Sequence, residues 1–529
     1  MKQVPSSRSV LQAVARPIAG AAVVVLCAAI LAASMTKQVS RDEQMYCTAG
    51  ALLAQGKMIY RDFSYPAQLP YHPLLLAALY RGLGTTQYLL VGRLVSAVCD
   101  ILVLIVILAI YRRVFASDRV RGWLFGLAAA ALYVFNPLVD YAFGYAWNHD
   151  VVILLVVASL WLFLTTDFEH KARFWRVGLM GALLTVATFM RVTTVLVELL
   201  FLAALLLSAG GSFRNRSLTA LPFSLAALTV AIWPLWIIAQ APQAFRLNLV
   251  RIPSLYGRWL HETGIVYGKL TLTADSLLTP GYIVFLILVF YCIGMAWRRS
   301  LDVSARERRN VRLTALLPAL FFFIAYIPPT MWPQYLAVPV PFLAIALACP
   351  LAGLARKREN RSDCRETGRP GSPCRVASWL VGVGAFVVIV ANPVVLYRCL
   401  AIFVPEAWTP VTLHGESQDI AADVGEPRLV LTLGPLYAIE GGCDIYPELA
   451  CGDIIYRVAD LMSPDERQIT HTVGPETLDE LVKTRPPAAI IVGVEPSYFS
   501  TLEDPLRRLA PPDWPRKTRK NGLQVYIRP

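Results

Sequence analysis

The chain has 529 residues, 56% of them hydrophobic and only 16% charged, where a soluble globular chain is nearer a quarter charged. Apolar runs long enough to cross a bilayer recur along most of the length, which excludes an ordinary soluble fold. The formal charge of +13 lies mainly in short loops between those runs; this is the topogenic pattern of a membrane protein and argues against nucleic acid as a partner.

Lys2, Arg8 and Arg16 precede an apolar run at about 17–35. Ala32-Ala33-Ser34 has the small residues of a cleavage site, but the run is long for a signal peptide and many more follow. It is read as an uncleaved first span with a cytoplasmic N-terminus. The loop 36–70 comes next. The apolar run Pro73–Leu79, between His72 and Arg81, is too short to cross, so the spacing predicts an interfacial or re-entrant helix over 71–84. Further spans are predicted at about 89–111, 122–138 and 151–166. The segment 177–209 is too long for one helix, and Arg191-Val192-Thr193-Thr194 interrupts it. Two short spans meeting at Arg191 near the outer face are expected there. Spans at about 218–240, 280–297, 313–328, 336–354 and 377–398 follow, with an outer loop at 241–276 carrying Arg246, Arg251, Arg258, Tyr267 and Lys269, and a basic cytoplasmic loop at 355–375. Eleven crossings put every strongly basic short loop on the cytoplasmic side and the C-terminal tail outside.

The tail changes character. Residues 428–433, 488–494 and 523–527 read as strands and Thr477–Lys483 as a helix, which predicts a small extracytoplasmic α/β domain over 399–529 after a transmembrane domain over 1–398. No phosphate-binding loop follows its first strand, so no nucleotide site is expected. The ten cysteines form no CxxC pair. Cys443 and Cys451 are close enough in the tail to permit a disulfide without requiring one.

Four places could carry chemistry. Asp42 and Glu43 lie just past the first span. They suit either a solvated helix start or a general base whose pKa is raised by partial desolvation at the membrane face. Asp150 begins a span beside Trp147, Asn148 and His149, as a helix cap or as a functional intramembrane acid. Arg191 breaks an uncharged segment, and either Glu198 or a lipid phosphate would satisfy it. The outer-loop arginines and Lys269 are solvated cations or phosphate contacts. His72, His149 and His261 show no metal-ligand spacing, so a divalent metal would need tertiary clustering.

The order of these motifs resembles the C-type (GT-C) integral membrane glycosyltransferases, nearest the superfamily of protein O-mannosyltransferases and lipid A aminoarabinose transferases (ArnT-like). The matching residues are the pair Asp42-Glu43, Gly56 with Tyr60-Arg61-Asp62-Phe63, and Tyr71-His72-Pro73-Leu74 opening the short helix. Asp150, Thr188-Phe189-Met190-Arg191 and Gln334-Tyr335-Leu336-Ala337-Val338-Pro339 complete the set. The resemblance covers about 17–398, and the tail is similar to the small outer domain of some bacterial members. It implies an inverting transfer of a monosaccharide from a polyprenyl-phosphate donor to a protein, lipid or glycan of the cell envelope, at the outer face of a bacterial-type cytoplasmic membrane. It implies that Asp42 is the catalytic carboxylate with Glu43 in support, and that Tyr335 lies near the lipid phosphate. Tyr60, Arg61, His72, Asp150 and Arg191 are the other expected substrate-binding residues. Tyr71-His72 stands where the aminoarabinose transferases carry a basic residue, and Gln68-Leu69-Pro70 lacks their nearby metal-site glutamate. No cofactor is therefore assigned, and a divalent metal is left open. Two other classes compete. A transporter or lipid flippase predicts internal repeats, which are not found, and functional charge at mid-membrane. A non-catalytic envelope scaffold would not need the acidic pair.

Overall fold

In lipid a backbone must satisfy its own polar groups, so the apolar runs become helices. The computed structural model describes residues 7–168, 173–208, 213–265, 268–298, 305–359 and 373–529. Tyr267 and much of the loop 355–375 lie outside the described residues. Four helical stretches are long and apolar enough to cross a membrane: Pro17–Thr36, Tyr88–Val114, Arg214–Gln240 and Pro333–Ala355. Two bent pairs, Lys269–Leu277 with Pro280–Met295 and Arg375–Ala391 with Val394–Phe403, raise this to six if each is one span. His149–Thr165 and Val192–Ser208 are apolar but shorter. The chain is thus a multi-pass helical membrane protein. A count of eleven crossings adds shorter segments to these six and stands as part of the proposal below.

The elements around the site come from the first half of the chain. Helix α1 (Ser7–Thr36) leads to α2 (Arg41–Ala54) and α3 (Tyr71–Leu83), then to α4 (Tyr88–Val114) and α5 (Arg119–Val134). After α6 (Pro137–Ala142), the loop 143–148 opens α7 (His149–Thr165), and α8 (Arg173–Thr188) is separated from α9 (Val195–Ser208) by a break at 189–194. The expected short helix is α3. Its 13 residues span about 20 Å, less than a bilayer core. It packs on α2 closely enough that a Cβ at Gly50 would stand 2.8 Å from Leu76 Cβ. Its first backbone N–H donates to Phe189 O at the break (3.1 Å).

The tail holds a five-stranded sheet in the order β2-β1-β3-β5-β4. The strands are β1 (Leu429–Thr432), β2 (Asp444–Ile445), β3 (Ala489–Val492), β4 (Arg516–Thr518) and β5 (Gln524–Ile527). β1 runs parallel to β2 and β3, with Leu431 opposite Ile490, and β5 is antiparallel to β3 and β4. Side chains alternate across such a sheet. On one face Val430, Ile491 and Val525 share an apolar cluster with Tyr46 of α2, Leu76 of α3 and Leu89 of α4. On the other, Leu431, Ile490 and Val492 pack with Tyr446, Tyr456 and Leu506 of the tail itself. Polar contacts lock the first face in place. Gln44 accepts from Leu436 N (2.9 Å), Ser64 Oγ donates to Thr470 O (2.5 Å), and Glu440 accepts from Leu89 N at the start of α4 (2.7 Å). A carboxylate there also favours the helix dipole. Cys443 and Cys451 are both free thiols.

Candidate active site

The two acidic residues of α2 are neighbours in sequence, and a helix turns successive side chains about 100° apart. They meet different surroundings. Glu43 points inward and is fully engaged. It accepts from Arg93 Nε and Nη2 (2.8 Å each), from Ala146 N (2.8 Å) and from Ser40 N (2.8 Å). The last of these is the reach-back of a helix-capping glutamate. Arg93 spends its remaining donors on the carbonyls of Ser34, Lys37 and Gln38. One buried, satisfied pair therefore ties the end of α1, the start of α2, the start of α4 and the loop before α7.

Asp42 is half-buried and accepts no hydrogen bond among the described residues. Burial pushes its carboxyl up to about 6, while the guanidiniums of Arg457 and Arg41 pull it down and the Glu43 charge adds to the rise. At neutral pH it is mostly ionised yet close to the solution pH, which is where a general base works best.

The second group of residues gathers where α7 begins beside the α8–α9 break. Arg191 occupies the break in extended backbone (φ −144°). Its Nη1 lies 3.1 Å from His149 Nδ1, and its guanidinium lies 4.9 Å from the ring centre of Tyr335. The His149 and Tyr335 rings stack at 6.4 Å. These three, with Thr193 and Thr194, line a narrow cleft whose other walls are apolar, among them Val152, Ile153, Phe321 and Ile324. Arg191 makes no ion pair with a carboxylate among the described residues. Glu198, the alternative partner, accepts instead from Thr185 and Thr188 Oγ1 (2.6 Å each). Asp42 and Arg191 both act electrostatically on Tyr46 and Tyr335, and the cleft itself is lined by Arg191 and Tyr335.

The other expected residues divide. His72 packs edge-on against Tyr46, 5.0 Å ring to ring. Burial pushes its imidazole down to about 3, against a hydrogen bond to the Trp147 backbone, so the ring is neutral. Tyr60 instead folds the loop: its hydroxyl donates to Gln68 O (2.6 Å), its ring packs edge-on to Phe245, and its φ is +67°. Arg61 is exposed and pairs with Asp62 (2.9 Å) and Gln240. Asp150 accepts from Gly144 N (2.9 Å) and is buried. It holds the loop that places His149 and Ala146. Sequence reading passed over Arg93 and Arg457. Arg93 had a signal, a lone arginine in the first turns of an apolar helix; Arg457 had none. For a metal, no group of three or more His, Cys, Asp or Glu side chains among the described residues is placed to hold one. Asp42 faces guanidiniums, and the oxygens of Glu43 are taken, so this donor set does not suit a metal.

The many-spanned helical domain and the small sheet of the tail have a GT-C-type fold. In particular, the chain is similar in structure to ArnT from Cupriavidus metallidurans bound to undecaprenyl phosphate, with TM-score 0.54 and 16% identity over 99% of this chain and 98% of that one. Its apo state gives TM-score 0.55 and 15% identity over 98% of both chains. A looser likeness is to the oligosaccharyltransferase AglB from Archaeoglobus fulgidus in complex with an inhibitory peptide and a dolichol-phosphate, with TM-score 0.47 and 11% identity over 89% of this chain and 69% of that one. No protein-family model and no curated protein sequence matches the chain.

Proposed function

We propose that this chain is an inverting glycosyltransferase that moves a monosaccharide from a polyprenyl-phosphate donor to a cell-envelope acceptor. The observation that carries the proposal is that, among the described residues, a carboxylate that accepts no hydrogen bond, Asp42, and a cation with no carboxylate partner, Arg191, both act on Tyr46 and Tyr335. The fold shared with an ArnT bound to undecaprenyl phosphate supports it. The working topology has eleven crossings, a cytoplasmic N-terminus and the tail outside, at the outer face of a bacterial-type cytoplasmic membrane.

In this reading Arg191, with Tyr335 and His149, receives the donor phosphate, while the apolar walls of the cleft accept the first isoprene units. Asp42 takes the proton of an acceptor hydroxyl as its oxygen attacks the anomeric carbon from the face opposite the phosphate. The anomeric C–O bond breaks and its electron pair leaves on the lipid phosphate, where Arg191 stabilises the developing charge. The configuration inverts. Asp42 then gives its proton to water. Glu43 serves by position, holding the first turn of α2. The test is incubation of the purified protein with radiolabelled polyprenyl-phosphate sugars and crude envelope acceptors. Wild-type protein should transfer label and Asp42→Asn should not; transfer by that variant at the wild-type rate would overturn the assignment.

A further inference from the structure

The tail touches the acidic end of α2 directly. Arg41, the residue before Asp42, bridges two tail carboxylates, with Nη2 2.7 Å from Glu495 and Nε 3.6 Å from Asp453. Asp453 also pairs with Arg457, one turn further along the same short tail helix. The Arg457 side chain is only 2% exposed. Its Nη1 donates to Tyr256 Oη (3.1 Å). Its guanidinium stands 5.2, 5.0 and 5.3 Å from the ring centres of Tyr256, Trp259 and Phe499. Two of these rings come from the outer helix Ile252–Glu262 and the third from the tail. Arg41 lies over the same Phe499 ring at 4.4 Å.

We propose that Arg457 is a positioning residue for the reacting carboxylate, so that the tail domain completes the active site. It clamps the first turn of α2 through Asp453 and Arg41 and sets a fixed positive charge above Asp42. The inference rests on the reading of Asp42 as the base.

The aromatic rings orient the guanidinium without neutralising it, and arginine keeps its charge at any working pH. The groups acting on Asp42 come from four elements. Its own helix presents Arg41, Glu43 and Tyr46. The tail presents Arg457, with Asp453 and Glu495 behind it; the outer helix presents Tyr256; and Pro333–Ala337 presents Tyr335, which Arg191 of the α8–α9 break also acts on. Glu43 is offset by Arg93, and Glu495 by Arg41. Of the neighbouring charges, Arg457 does most to hold the Asp42 carboxyl down against burial. Without it Asp42 should hold its proton to higher pH.

The test titrates Asp42 itself in the full-length protein in lipid nanodiscs, by carbodiimide labelling of the protonated carboxyl and mass spectrometry of the peptide containing residue 42. The variants are wild type, Arg457→Met, Arg457→Lys and Tyr256→Phe. Tyr256→Phe removes only the hydrogen bond that orients the guanidinium and covers the case in which Arg457→Met fails to fold. The labelling midpoint should rise by about one pH unit in Arg457→Met, in line with the loss of a nearby opposite charge. It should rise less in Tyr256→Phe and stay near wild type in Arg457→Lys. The acid limb of the transfer rate should move with the midpoint. An unchanged midpoint in Arg457→Met, or in Tyr256→Phe where Arg457→Met does not fold, would overturn the inference. Activity in Asp42→Asn would instead overturn the reading beneath it, so the two failures are distinguishable.

Discussion

Arg93 closes on Glu43 with two parallel hydrogen bonds of 2.8 Å, and neither side chain is exposed. Bidentate geometry gives such a pair direction as well as strength. Removing one partner of a buried pair strands the other, at about 3–5 kcal/mol. Glu43→Gln and Arg93→Met should therefore each lower the melting temperature in detergent sharply and reduce the yield of folded protein. The double variant should recover part of the loss, because it strands no charge. If Glu43→Gln melts with the wild type but is inactive, Glu43 takes part in the chemistry and is not a support.

Asp42 should behave in the opposite way. Replacement by Asn should cost at least the ~10²–10⁴-fold assigned to general-base catalysis, with no loss of folded protein. The pH dependence has a definite sign. Its carboxyl is raised from 3.8 to about 6, so the folded chain holds this proton more tightly than the unfolded one. The stabilisation from protonation is complete below about pH 4 and is lost as pH rises through 6, where an ionised, desolvated carboxylate opposes folding by at most about 3 kcal/mol. Asp42→Asn should thus melt above wild type at pH 8, and the gap should close towards pH 4. Transfer by the wild type should fall as pH drops below about 6.

What could be read in advance was charge standing out against an apolar background. Asp42 and Arg191 were visible in this way, Tyr335 only through the resemblance to a family, and α3 was visible as a run too short to cross. Arg93 carries the same kind of signal but was passed over because its run reads as an ordinary span. Arg457 could not be read at all: an arginine in a mixed-polarity tail is unremarkable until folding brings it over α2. The strands at 444–445 and 516–518 were missed for a local reason. The first is two residues long and the second is fully exposed, so neither shows the alternation that marks a half-buried strand. Tyr60 and Arg61 read from the sequence both as substrate-binding residues and as loop scaffold, and the contacts they make shape the loop; a motif's order in sequence does not separate binding from scaffolding.

Arg191 gives a prediction about binding apart from catalysis. Its guanidinium is held by His149 and Tyr335 and, among the described residues, has no carboxylate to displace, which leaves it ready for a phosphate. A hydrogen bond to a charged group contributes about 1.5–3 kcal/mol. Arg191→Gln should weaken undecaprenyl-phosphate binding roughly 10- to 100-fold by that figure, measured as the ligand-induced rise in melting temperature. Arg191→Lys should keep part of it, since it preserves the charge but loses the fork. Equal stabilisation of wild type and Arg191→Gln by the lipid would remove Arg191 from the donor site.

The start of α4 and the loop ahead of α7 approach closely at a glycine. Gly92 lies one residue before Arg93, where α4 meets the loop ahead of α7. A Cβ there would stand 2.6 Å from Ala146 Cβ and 3.3 Å from Cys47 Sγ. Ala146 is the residue whose N–H reaches Glu43, so relief of the clash must pull that donor away or tilt α2. Overpacking of this kind costs about 1–3 kcal/mol. Gly92→Ala should lower both the melting temperature and the transfer rate, although it touches no substrate. Gly82 in α3 is the control, because a Cβ there meets nothing within 4 Å. By helix propensity alone, Gly82→Ala should be neutral or stabilising by up to about 1 kcal/mol. The contrast between the two substitutions separates helix propensity from packing at the Glu43 support. Equal effects of both would mean that the α4–loop contact does not hold the acidic turn in place.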